Sequence, residues 1–196
     1  MVEIYVNIAH TKTGAKMSSL AKTFEKICKN GLEKEAYIYR INDFGNFAGI
    51  SNPCDFIAYK YPYMYMLEMK TTAGSSIPIK NISEYQYQSM LNATKHKIKS
   101  FFIIWYYDKD ITIALPVEVL RDIKETNKKS IRYDYNDDRI IKIVGEKEKV
   151  YFEYDWKRFF KESKTLSCVR SRSNGKSRGT RGVCVRNRKR IFYKRR

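Results

Sequence analysis

Between Cys54 and Lys70 the chain carries two runs rich in tyrosine and long apolar residues, parted by the step Tyr61-Pro62. Such residues favour strands, and a proline between two runs of this kind marks a turn. A hairpin folded about that step brings residues whose numbers share one sum face to face, so Asp55 lies across from Glu68. Facing Cβ atoms stand about 4.5–5.5 Å apart. Alternation along the second strand puts Lys70 on the same face as Glu68. Two carboxylates and one ammonium thus converge on one small patch.

Carboxylates this close repel unless positive charge lies between them, and a hard, oxygen-seeking cation such as Mg²⁺ meets that need. A metal there activates water and polarises a phosphoryl group, while the neighbouring lysine orients the water or neutralises charge developing on phosphate. The pattern points to phosphodiester hydrolysis. A plainer reading stands beside it: Glu-x-Lys on one strand face is often a solvated ion pair, and an Asp near a turn often just caps it. Against that, the strand is otherwise nearly all apolar or aromatic from Tyr61 to Met69, and charges emerging from a buried sheet need a reason.

Asn52-Pro53-Cys54-Asp55 followed by Leu67-Glu68-Met69-Lys70 resembles the PD-(D/E)xK nuclease signature. The surroundings resemble one branch of it, the RecU-type Holliday junction resolvases, in a phage-like variant with a short stalk. The run from Ile77-Pro78 through Asn81 to Gln86 matches that family's loop and following helix. Phe101 to Tyr107 matches its core strand, Ile113 to Leu120 the next strand and helix start, and Lys128-Lys129-Ser130-Ile131-Arg132 a basic loop. Pro53 stands where bacterial members carry a hydroxyl residue. The resemblance implies a restriction-endonuclease-like α/β fold, a mixed central sheet flanked by helices. It implies a homodimeric endonuclease, dependent on Mg²⁺ or Mn²⁺, acting on four-way DNA junctions. Asp55, Glu68 and Lys70 are then catalytic, and Asp55, Glu68 and Gln86 hold the metal together with Glu25 of the first helix. Glu25 can equally be a solvated residue paired with Lys22 or Lys29. Lys128, Lys129 and Arg132 are expected to touch DNA. The rivals are a related nuclease acting on forks, flaps or ends, and a non-catalytic basic DNA-binding protein.

Charge supports a polyanionic partner. The net charge is +18, and thirteen of those positive charges lie after Glu162 with no acidic residue among them, which leaves +5 for the rest. Such a segment repels itself and buries little, so residues 164–196 are expected to be a disordered arm that meets phosphate, beside a nuclease domain at 1–163. Its candidate DNA contacts are Arg170, Arg172, Arg178, Arg181, Arg186, Arg188, Lys189 and Arg190. No apolar run approaches the ~20 residues that span a bilayer, and the N-terminus has no leader-like pattern. The expectation is therefore a cytoplasmic protein of a bacterial cell or phage-infected host, without membrane attachment. Cys28 and Cys54 read as reduced core residues, and Cys168 and Cys184 as free thiols rather than a zinc site.

The remaining pattern predicts a helix from Ser18 to Leu32, capped by Ser18 or Ser19 and ended by Gly31, then a strand over Ala36 to Ile41. A second helix is expected over Ser83 to Lys97, with Ile82, Tyr85, Met90, Leu91 and Ala93 inward. Strands follow at Phe101 to Tyr107 and Ile111 to Leu115, then a helix begun by Pro116. Arg139 to Val144 and Val150 to Tyr154 read as a hairpin around Gly145, and Asp155 to Lys161 as a short helix. Val2 to Ile8 alternates weakly, as an edge strand or an extended arm would.

Overall fold

Phe24, Cys28 and Leu32 recur at helical spacing and are all buried, which sets the inward stripe of the first helix, α1 (Ala15–Glu33). The computed structural model describes residues 15–42, 51–147 and 152–166. The helix begins before Ser18 and Ser19 and so encloses both. Ala15, Lys16 and Met17 are good helix formers, so the helix propagates back past the serines. Gly31 also lies inside it rather than ending it. The Trp156 ring packs against this glycine so closely that a Cβ here would stand 2.5 Å from Nε1.

Then come β1 (Tyr37–Arg40), β2 (Phe56–Lys60), β3 (Tyr63–Thr72), β4 (Ser76–Pro78), α2 (Glu84–Thr94), β5 (Lys99–Tyr106), β6 (Ile111–Pro116) and α3 (Val117–Glu125). The chain continues through β7 (Ser130–Arg132), β8 (Ile141–Ile143), β9 (Gly145–Lys147), β10 (Phe152–Tyr154) and α4 (Trp156–Thr165). Six strands form the main sheet in the order β1-β2-β3-β5-β6-β8. β3 and β5 are parallel, and the other neighbours are antiparallel. A parallel pair needs a crossover, and α2 lies in that connection.

The sheet separates two cores. On one face α1 and α4 bury Phe24, Cys28, Trp156, Phe159 and Phe160 against Phe56, Tyr65, Leu67 and Phe101. On the other, Met90 of α2 and Leu120 and Ile123 of α3 pack on Phe102, Ile104, Ile113 and Leu115. This is the expected mixed α/β sheet flanked by helices. Cys28 and Cys54 are buried free thiols, again as expected.

Several boundaries differ from expectation. α2 stops at Thr94, and Lys97 turns the chain toward β5 with a positive φ of 65°. Tyr85 is exposed on α2, and Tyr87 takes the inward position expected of it. The late hairpin consists of β9 and β10, while β8 joins the main sheet beside β6. Gly145 pairs with Tyr154 instead of turning the chain, and a Cβ there would stand 3.0 Å from that ring. Ser130–Arg132 is a strand paired with β4 rather than loop. α4 outruns its expected end at Lys161 because Ser163 continues the buried stripe of Trp156, Phe159 and Phe160. Val2 to Ile8, Cys168, Cys184 and the tail cations from Arg170 onward lie outside the described residues. Among those described, no helix is long and apolar enough to cross a membrane.

Candidate active site

The β2–β3 hairpin pairs Phe56 with Leu67 and Lys60 with Tyr63. That register sets Asp55, the residue before β2, beside Glu68 as the turn at Tyr61-Pro62 predicts. The backbone N–H of Met69 donates to Asp55 Oδ2 at 2.7 Å. Ile41 N–H donates to the Asp55 carbonyl at 2.9 Å, so both side chain and backbone of Asp55 are fixed.

Glu68 is only 2 % exposed. Its Oε1 accepts from Lys70 Nζ at 2.7 Å, whereas Oε2 is buried without a hydrogen-bond partner. Lys70 Nζ also donates to Gln86 Oε1 at 3.3 Å. Gln86 reaches the site from the first turn of α2, where Ser83 Oγ caps the helix by accepting from Gln86 N–H. Alternation on β3 and the start of α2 therefore bring Asp55, Glu68, Lys70 and Gln86 together.

Glu25 comes from α1 and is paired with Arg40 of β1, Nη2 to Oε2 at 2.8 Å. Its charge still acts on both other acids. Burial pushes the Asp55 carboxyl up to about 7, with Glu68 and then Glu25 adding to the rise, and Met69 N–H and Lys70 opposing it. Burial likewise raises Glu68, against the pull of Lys70 and the Gln86 side chain. The Cys54 thiol beside them is raised to about 12, by burial first and then by Glu68 and Asp55. The site holds more negative charge than Lys70 can balance, and its donors are oxygens. That is the chemistry of a seat for a hard divalent cation. Among the described residues, no three His, Cys, Asp or Glu side chains are gathered into a ready metal cluster. Two carboxylates and an amide remain as the protein's donors, with Glu25 held by Arg40.

The other expected contacts lie on the β4–β7 ribbon. Lys128 Nζ sits over the Tyr135 ring at 4.4 Å, the Lys129 carbonyl accepts from Ile79 N–H, and Arg132 grips Asp134 at 2.8 and 2.9 Å. The pairing of Arg40 with Glu25 was not legible in the sequence. No local spacing carries that signal, because the two residues belong to different elements. The Met69 N–H was also missed, although the same hairpin register that aligns Asp55 with Glu68 brings it there.

Residues 45–155 match the model of a family described as RecU, recombination protein U. No curated protein matches the chain. Among solved structures, it is similar to Hjc, a Holliday junction resolvase from the archaeal hyperthermophile Archaeoglobus fulgidus. The identity is 16 % and the TM-score 0.39, over 50 % of this chain and 74 % of that one.

Proposed function

The chain belongs to the RecU family of recombination proteins, and on that premise we propose that it is a metal-dependent endodeoxyribonuclease that resolves Holliday junctions. The observation that carries the metal dependence is Glu68 Oε2, buried without a hydrogen-bond partner beside the half-buried carboxylate of Asp55. An unpaired carboxylate oxygen is costly to bury, and a divalent ion compensates it.

Asp55, Glu68 and the Gln86 side chain are the residues that would hold Mg²⁺ or Mn²⁺, with Glu25 near enough to bear on them electrostatically. When bound, such an ion supplies Lewis-acid polarisation of the phosphoryl group and eases deprotonation of the attacking water. Met69 N–H keeps the Asp55 carboxylate in place. Lys70, poised between Glu68 and Gln86, orients the water and offers positive charge to the phosphate oxygens. The described fold as far as Leu166 carries the candidate nuclease site, and the basic chain beyond it, most of the expected 164–196 arm, adds sequence-independent grip on phosphate. Resolving a four-way junction takes two matched cuts, and a two-fold dimer sets two such sites at a fixed distance.

The test sets a labelled four-way junction beside a linear duplex of the same sequence, with Mg²⁺ or with EDTA. Symmetric nicks in the junction alone, seen only with the metal, are expected. Cleavage of both substrates alike makes it a nuclease of another structure, and binding without cleavage makes it a binding module.

A further inference from the structure

The sheet face that carries the carboxylates also carries exposed aromatic side chains that no described residue buries. Tyr37 pairs with Tyr59 and Tyr59 with Met64, and in the next row Tyr39 pairs with Ile57 and Ile57 with Met66. The row after that is Asp55 and Glu68. Alternation on β3 puts Met64, Met66, Glu68 and Lys70 on one face. Further along this face Met66 is buried in the core that α2 helps to form. The rows nearer the hairpin turn are open. Tyr37 is 69 % exposed, Tyr39 54 %, Tyr59 45 % and Met64 44 %.

We propose that this surface is a stacking platform for unpaired DNA bases, on which the nucleotides next to the scissile phosphate lie. The inference rests on reading Asp55 and Glu68 as the nuclease site. From Glu68 to Met64 is four residues of strand, about 13 Å at ~3.3 Å each. That is the length of about four stacked bases at ~3.4 Å. A strand with its phosphate at the carboxylates therefore reaches the row of Met64, Tyr59 and Tyr37. Positive charge borders the same row on its β5 side. Exposed Lys95, His96 and Lys97 precede β5, whose first residue Lys99 is in register with Tyr65, the neighbour of Met64. A phosphate-cutting site, open rings on one side of Met64 and cations on its other side offer one sheet face to both the bases and the phosphates of a single strand. Every base has a π-face, so such a platform needs no sequence preference. A protein partner seated here would block the approach to Asp55 and Glu68, which weighs against a second copy of the chain as occupant.

The test uses the full chain in EDTA, so that binding is read without cleavage. The probe is a short single-stranded oligothymidylate, and a version of it carrying 2-aminopurine reports stacking. The wild type should bind it and quench the 2-aminopurine emission. Replacing both rings (Tyr37→Ala with Tyr39→Ala) should weaken binding about tenfold per ring. The Tyr37→Phe, Tyr39→Phe pair should bind like the wild type, and the salt slope should be unchanged because no cation is removed. Absence of 2-aminopurine quenching in the wild type, or equal affinity of the alanine and wild-type proteins, overturns the platform. So does an alanine pair that turns a dimer into a monomer by sedimentation, which assigns the face to a second copy. Junction cleavage by the wild type in Mg²⁺, measured in parallel, judges the nuclease reading separately: its failure with quenching intact sinks that reading and the placement beside a scissile phosphate, while lost quenching with cleavage intact sinks the stacking surface alone.

Discussion

The Met69 backbone N–H holds Asp55 Oδ2 at 2.7 Å, so the strand that carries Glu68 also fixes the carboxylate facing it. This bond ties the position of one acid to the register of the other and makes the pair a unit. Asp55→Asn and Glu68→Gln should each reduce junction cleavage to background while leaving junction affinity nearly unchanged, because neither removes a cation from the surface. Lys70→Ala should lower the rate by about 10²- to 10⁴-fold. Calorimetric Mg²⁺ titration should show a larger loss of affinity in the carboxylate variants than in Lys70→Ala. The reverse order would make Lys70 a structural residue.

Stability without metal should fall as pH rises. Burial lifts the Asp55 carboxyl to about 7, against an unfolded value of about 3.9. Between those values the native state holds the proton and the unfolded state has lost it, so stability decreases from about pH 4 to about pH 7. Glu68 is shifted in the same direction. Thermal unfolding in EDTA across this range should show the midpoint falling, and Asp55→Asn should flatten the trend. Added Mg²⁺ should raise the midpoint most at the upper end. A pH trend in EDTA that Asp55→Asn leaves unchanged would contradict the charge imbalance assigned to the site.

The site was legible where short-range periodicity determines it. Tyr61-Pro62 fixes the hairpin register, and the register fixes which face and which partner Asp55, Glu68 and Lys70 have. What escaped the sequence depends on contacts between distant elements. Gly31 reads as a helix terminator until Trp156 is placed against it, and nothing near Arg40 in the sequence shows that α1 brings Glu25 to it. The split of β8 from the β9–β10 hairpin follows from the free flank of β6, which accepts β8 through Thr112, Ile113 and Ala114. No pattern within residues 139–154 encodes that.

The contact at Gly31 sets up a substitution whose two effects oppose each other. Gly31→Ala gains about 1 kcal/mol of helix propensity. Its Cβ would meet Trp156 Nε1 at 2.5 Å and Cδ1 at 2.6 Å, and that ring is held in the core by Tyr154 and Phe159. Overpacking of this kind costs about 1–3 kcal/mol. Denaturant titration should therefore show net destabilisation, and a stabilised variant would mean that the ring moves aside freely.

Lys99 Nζ donates to the carbonyls of Ser163 at 2.7 Å and Leu166 at 2.9 Å, at the end of α4. A cation satisfying the last carbonyls of a helix stabilises it both as a donor and against the helix dipole. Lys99→Met keeps the stem and removes the charge, and should cost about 1–3 kcal/mol. Amide exchange should quicken in the last turn of α4 before it does in α1. Uniform quickening across the domain would point to a general loss of packing instead.

Since α4 ends at Thr165, removing residues 167–196 leaves the helix whole and takes away only chain beyond Leu166. That chain has no acidic residue and carries most of the protein's net positive charge. Each phosphate contact contributes about 0.9 to the slope of log affinity against log salt on duplex DNA. Loss of six contacts should lower the slope by roughly five. Affinity should fall for duplex and junction alike, because backbone contacts carry no information about sequence. Cleavage of junction DNA at saturating enzyme should persist, since Asp55, Glu68, Lys70 and Gln86 all lie within the retained chain. A slope identical to that of the full chain would show that the arm does not neutralise phosphate. A loss confined to the junction would make it a reader of branch geometry, and its cations would then belong to specificity rather than to general affinity.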